Sequence, residues 1–195
     1  EDKRLSDLLP SLEFASWERY HVSDVNRVAG LALEPVNVDL GKYLSKHPEK
    51  VRELKPPEFE ILVAELMRDM GYDVHVTPHT HDKGRDILAV LKTPTSELLT
   101  IVECKLFSAH RKIGPELVQR LLWIAEKQDN CSFAMMVATS KFTSGAREIE
   151  HNYKWRLALK DFASVSEWLA KYGKWRLAKK EAGLWLPNDV TKPKQ

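Results

Sequence analysis

Three charged side chains close two apolar runs within residues 84–105, which read GRDILAVLKTPTSELLTIVECK. Residues 87–91 form the first apolar run and residues 98–102 the second. Thr93-Pro94-Thr95-Ser96 between them is turn chemistry, with proline removing a donor and the hydroxyls bonding locally. Folding this stretch as a hairpin about residue 95 sets Asp86 opposite residue 104, give or take one position. Side chains alternate along a strand, so Glu103 and Lys105 share a face and Cys104 points the other way, into the core. Asp86, Glu103 and Lys105 then converge at one end of the hairpin. Charged groups are seldom buried unless paired or bound to a metal. Two chemistries fit: a salt bridge of Lys105 with one of the acids, or a divalent metal site. Two hard oxygen ligands suit Mg²⁺, with Mn²⁺ as a substitute, because Mg²⁺ keeps several waters and takes one or two carboxylates plus substrate phosphate. A lysine beside the ion can hold or polarise the attacking water.

The elements that must position these groups are legible on both sides. Pro56-Pro57-Glu58 opens a helix, since proline suits the first turn and acids suit the positive helix end. Phe59, Leu62, Val63, Leu66, Met67 and Met70 form its buried stripe, and Gly71 ends it. Glu58 and Glu65 read as surface charges, and Glu60 as a first-turn acid unless it faces the hairpin. Residues 72–77 alternate as a first strand. The loop at 78–84 carries His79, His81, Asp82 and Lys83 and leads into Arg85 and Asp86. His75, His79 and His81 lack a fourth ligand or a cysteine pair, which weighs against zinc. Beyond the hairpin comes a polar loop at 107–112 with His110, Arg111 and Lys112. A helix follows at 113–127, with Val118, Leu121, Leu122 and Ala125 inward. An apolar strand at 131–139, a helix from Gly145 capped by Ser144, a strand at 155–160 and a helix at 164–172 complete the body. The run KWRLA occurs twice, at 154–158 and 174–178, too short a repeat for a solenoid. In the tail, Trp175 and Trp185 lie among basic residues and read either as a helix pinned to the core or as a base-stacking surface.

The acid, then acid-x-lysine pattern on consecutive strands resembles the PD-(D/E)XK nuclease superfamily, and the region from about 57 to 172 resembles the Mrr-type restriction endonucleases. The matching phrases are PEFEILVAEL at 57–66, MGYDVHVTP at 70–78, DKGRDILA at 82–89 and VECK at 102–105, then IGPELVQRL at 113–121, VATSKFTSGA at 137–146 and WRLALKD at 155–161. The resemblance implies an α/β fold with an αβββαβ core and a mixed central sheet flanked by helices. It implies a nuclease domain at 51–172, preceded by a helical arm at 1–50 and followed by a basic, tryptophan-containing tail at 173–195. It also implies a metal-dependent endodeoxyribonuclease acting in restriction or defence. There Asp86, Glu103 and Glu60 serve the metal, the Cys104 carbonyl adds a ligand, Lys105 activates water, and Gln119 lies near the active site. Gln119 also fits an ordinary helix-surface amide. Where such sequences often carry two glycines this one has Lys83-Gly84, which adds a positive charge. Lys83, Arg85, Arg111, Lys112 and Lys141 are the candidate nucleic-acid contacts.

Composition is that of a globular chain: 195 residues, 43% hydrophobic and 30% charged. No apolar run reaches the roughly 18 residues of a membrane span, and a secretory leader pattern is missing. Two cysteines in apolar runs do not make a disulfide framework. These features lead to the expectation of a cytoplasmic protein; Glu1 in place of Met reads as a trimmed or processed chain. Residues 1–100 carry 13 Lys and Arg against 18 Asp and Glu, net −5, and residues 101–195 carry 17 against 10, net +7. A basic half suits phosphate, as it also suits a solvated surface. DNA is the expected partner and a homodimer the expected assembly, since cutting two strands takes two sites. No small-molecule cofactor is expected. A non-catalytic DNA-binding module with the same fold, or a nuclease for RNA, branched or single-stranded DNA, stays open.

Overall fold

The computed structural model describes residues 38–77, 85–172 and 174. The loop at 78–84, most of the 1–50 arm and nearly all of the 173–195 tail lie outside these residues. The described elements run α1 (Val38–Lys46), a 3₁₀ helix (Pro48–Glu53), α2 (Pro56–Asp69), β1 (Asp73–Val76), β2 (Ile87–Lys92), β3 (Glu97–Lys105), α3 (Pro115–Lys127), β4 (Cys131–Ala138), α4 (Ser144–Asn152), β5 (Leu157–Lys160) and α5 (Phe162–Ala170). From α2 onward this is the order anticipated from the sequence.

One five-stranded sheet, in the order β1-β2-β3-β4-β5, carries the fold. β1, β2 and β3 pair antiparallel, whereas β3, β4 and β5 pair parallel. The parallel half needs helical crossovers, and α3 and α4 supply them. β4 is apolar because helices cover it on both sides, the usual condition of a parallel strand. Two apolar layers sandwich the sheet. On one face Phe59, Leu62, Leu66 and Met67 of α2 meet Ile87, Ala89, Val102 and Cys104, together with Leu40 and Leu44 of α1 and Val165 and Leu169 of α5. On the other, Val118, Leu121 and Ala125 of α3 and Ala146 of α4 meet Ile101, Ala134, Met136, Leu157 and Leu159. Strand alternation assigns Glu103 and Lys105 to the α3 face with Ile101, and Cys104 to the α2 face.

The stretch just before residue 51 is built into this core, since Leu40 and Leu44 are buried. At Gly41 a Cβ would stand 2.5 Å from Tyr172 Cε1, so α1 lies close against the end of α5. α2 is wrapped almost all round. Glu60, Glu65 and Asp69 are buried along with the apolar stripe, while Met70 is only partly so. Glu65 is therefore no surface charge: it pairs with Arg68 at 3.3 Å and accepts from Tyr172 Oη at 3.4 Å. Gly71, at φ 96°, takes the left-handed turn that ends α2.

Several boundaries differ by a residue or two from the sequence expectation. Thr143, and not Ser144, caps α4, its Oγ1 accepting from Ala146 N at 3.3 Å. α3 starts at Pro115, because Ile113 is held in a parallel bridge with Phe142. β5 starts at Leu157 and leaves Trp155 exposed, and α5 starts at Phe162 under an Asp161 cap. In α3 Ile124 is buried and Leu122 only half-buried. Among the described residues no helix is long and apolar enough to cross a membrane.

Candidate active site

The carboxyl end of β3 gathers the charged groups. The register pairs Ile87 with Val102, which carries Asp86 one step further to face Glu103. Asp86 N donates to Val102 O at 3.0 Å, and Cys104 N donates to Asp86 Oδ2 at 2.6 Å. The backbone of one strand thus orients the acid that precedes the other. Asp86 and Glu103 are buried, Glu103 completely.

Glu103 Oε1 accepts two cations. Lys105 Nζ lies 2.7 Å away, and Arg120 Nη2 from α3 contacts the same oxygen. Oε2 is buried and has no hydrogen-bond partner among the described residues. The salt bridge and the metal site, posed as alternatives from the sequence, are therefore compatible: one oxygen is paired and the other is left over. Glu60 is buried on α2, on the Cys104 side of the sheet, and its charge acts on the Cys104 thiol. Burial first, then the charges of Asp86, Glu60 and Glu103, push the Cys104 thiol well above its ordinary value, with Lys105 opposing. All four charged groups thus act on one sulfur, which stays a thiol at neutral pH.

The ends of β3 and β4 are tied into a rim. Thr139 N donates to Lys105 O at 3.1 Å, and Thr139 Oγ1 accepts from Phe107 N at 2.9 Å while donating to Phe107 O at 2.7 Å. Arg52 Nε reaches Thr139 O at 3.2 Å, and its guanidinium stacks 3.5 Å over Phe162. Ile113 N donates to Lys141 O, and Thr143 N to Ile113 O, both at 2.9 Å. Arg111, Lys112 and Lys141 stand exposed on these joined loops, Arg111 stacking 3.7 Å over Phe107.

Two of the anticipated residues sit elsewhere. Gln119 is exposed and lines a groove between α3 and α4 with Leu122, Trp123, Glu126, Ile149 and Tyr153. Arg120, its neighbour in sequence, is the α3 residue that touches Glu103. Arg85 is half-buried and bonds through Nη1 to Gln128 at the end of α3, with Nε buried and without a partner among the described residues. Lys83 lies outside the described residues, as do His79, His81 and Asp82. His75, on β1, is held below its ordinary value chiefly by burial.

Does the site suit a divalent ion? Among the described residues no three His, Cys, Asp or Glu side chains are grouped closely enough to hold one. An ion here would rest on two carboxylates and on oxygens other than acidic side chains. Hard cations such as Mg²⁺ accept that arrangement, since water and phosphate complete their shell. The unpartnered Oε2 of Glu103 is the donor such an ion would use, because a buried carboxylate oxygen without a partner is costly. The residues present fit the group.

The family-model match and the AspBHI structure agree with this architecture. A family model described as restriction endonuclease, Mrr_cat, matches residues 51–169. A protein of Sinorhizobium fredii called y4cE is 28% identical over 167 residues, covering 84% of this chain and 41% of that protein. Among solved structures, the DNA modification-dependent restriction endonuclease AspBHI superposes with a TM-score of 0.51 at 17% identity, covering 88% of this chain and 43% of that one. The MspJI restriction endonuclease, solved with a 27-mer oligonucleotide, gives 0.46 at 14% identity over 87% of this chain and 37% of that one. The chain thus spans less than half the length of each of these proteins.

Proposed function

The chain belongs to the Mrr-type restriction endonuclease family, and on that footing we propose that it is a divalent-metal-dependent endonuclease that hydrolyses phosphodiester bonds of DNA. The observation that carries the proposal is the Asp86, Glu103 and Lys105 constellation at the end of β2 and β3, with Glu103 Oε2 buried and unmet. Asp86 and Glu103, with the Cys104 carbonyl, would hold Mg²⁺ or Mn²⁺, and Glu60 would hold a water or a second ion. The ion supplies charge stabilisation on the phosphate and lowers the pKa of bound water. Lys105 Nζ, fixed by Glu103, orients the attacking water or meets the charge developing on the phosphate. Cys104 N–H keeps Asp86 turned toward the pocket. Arg111, Lys112 and Lys141 on the rim contact backbone phosphates, which sets position and not sequence.

Restriction or defence against foreign or modified DNA is the proposed role, with a homodimer supplying a second site for the second strand. The experiment offers supercoiled and linear duplex DNA, methylated and unmethylated, beside branched DNA, single-stranded DNA and RNA, each with Mg²⁺, Mn²⁺ or EDTA. Metal-dependent cutting of duplex DNA is expected. Cutting of RNA or single strands alone would move the substrate class. Duplex binding with no cutting under any metal would make the chain a binding module.

A further inference from the structure

Glu103 carries more positive charge than one carboxylate requires. Lys105 and Arg120 crowd the same oxygen, Oε1, while Oε2 stays bare. The two cations differ in freedom. Lys105 lies two residues along the same strand and is 21% exposed. Arg120 reaches in from α3 on a long side chain and is 50% exposed. On Glu103 two cations already face a single carboxylate charge. A divalent ion on the same carboxylate would add two further positive charges, with the guanidinium and the ion sharing it. Like charges at that range repel, and the half-solvated one is the cheaper to move.

We infer that Arg120 is a counter-ion latch on the metal pocket: it neutralises Glu103 when no ion is bound, and an arriving divalent cation displaces it outward. Arg120 is thus a positioning residue, acting on the metal through Glu103. Displaced, its fork of donors is free for a phosphate, which offers bidentate partners. The inference rests on the metal-dependent reading above and adds a competitor that this reading does not contain.

The test is Mn²⁺ binding by titration calorimetry on the full chain without DNA. The proteins are wild type, Arg120→Gln, Arg120→Lys and Lys127→Gln, the last an exposed cation at the far end of the same helix. Circular dichroism first establishes that each is folded. Arg120→Gln is expected to bind Mn²⁺ about tenfold tighter than wild type, the size of one partly screened charge at the site. Arg120→Lys should return to within about twofold of wild type, and Lys127→Gln should match it. Binding by Arg120→Gln with no detectable binding by wild type would equally support the latch. Equal or weaker binding by Arg120→Gln, with wild type binding, would overturn the latch and leave the metal site standing. Binding by none of the four would overturn both.

Discussion

Replacing Glu103 by Gln tests how the charged cluster is held. The change keeps the shape and removes the charge. Glu103 is fully buried, so water cannot stand in for the missing charge. Losing the Lys105 ion pair, 2.7 Å long and mostly shielded, leaves that ammonium without its partner at a cost of about 1–3 kcal/mol. Arg120 is half exposed and can turn to solvent, so its share falls to about 1 kcal/mol or less. The amide adds a second cost. Its NH₂ must occupy either the position of Oε2, which meets no partner, or that of Oε1, which faces two cations. An unmet buried donor costs about 1–3 kcal/mol. These effects overlap, since relaxing one eases another, and about 3 kcal/mol is the expected destabilisation. For a chain of this size that lowers Tm by about 6–12 °C. The assay is a thermal melt and a urea titration of metal-free wild type and Glu103→Gln, with Mn²⁺ added in parallel. Mn²⁺ should raise the wild-type Tm and leave the variant's unchanged. A variant that melts with wild type in the absence of metal would refute the reasoning, because Glu103 would then not anchor the two cations.

Phe59→Ala empties the junction of α2 with the sheet, where Phe59 is fully buried, and should cost about 3–5 kcal/mol in urea titration. A cost below about 1 kcal/mol would mean that the α2 layer is not packed as described. His75 sets a pH dependence. Burial lowers its pKa from the ordinary 6.5, so the folded protein resists the proton that the unfolded chain accepts. His75 therefore costs no stability above about pH 6.5, and stability falls as pH drops from there toward the lowered folded value. Melts between about pH 7.5 and 5 should show a smaller fall for His75→Phe than for wild type; an equal fall would assign the acid sensitivity to other groups. Changing Arg111, Lys112 and Lys141 together to Gln should weaken DNA binding uniformly across sequences. The log–log salt slope should flatten by about 0.9 for each phosphate no longer neutralised. An unchanged slope would take the rim off the DNA path.

The hairpin is legible in the sequence because its signals are local: two apolar runs, a Thr-Pro-Thr-Ser turn, and alternation that fixes which side chains share a face. Its register differs from the expected one by a single residue. Four residues, 93–96, form the turn, with Thr93 N bonding Ser96 O at 2.8 Å, so the centre falls between residues 94 and 95. Arg120 is not legible there. At about 100° per residue, Gln119 and Arg120 flank the Val118, Leu121 and Ala125 stripe at similar angles on opposite sides. Which flank looks down on Glu103 depends on how α3 crosses the sheet, a tertiary fact. Glu65 escapes sequence reading for a related reason. Helical spacing marks a stripe, and α2 is buried beyond its stripe because Arg68 and Tyr172 give Glu65 its partners. The rim held by Thr139 depends on hydrogen bonds to Phe107, 32 residues away in sequence and beyond any local pattern.

Asp86, Glu103 and Lys105 are proposed to make a metal-dependent phosphodiester site. The most direct measurement is plasmid cleavage with Mg²⁺, Mn²⁺ or EDTA by wild type, Asp86→Ala and Lys105→Ala, each verified as folded and tested for DNA binding by gel shift. Wild type should cut only with metal, both variants should lose cutting, and both should still bind DNA. Cutting by either variant at the wild-type rate, or by wild type in EDTA, would contradict that proposal.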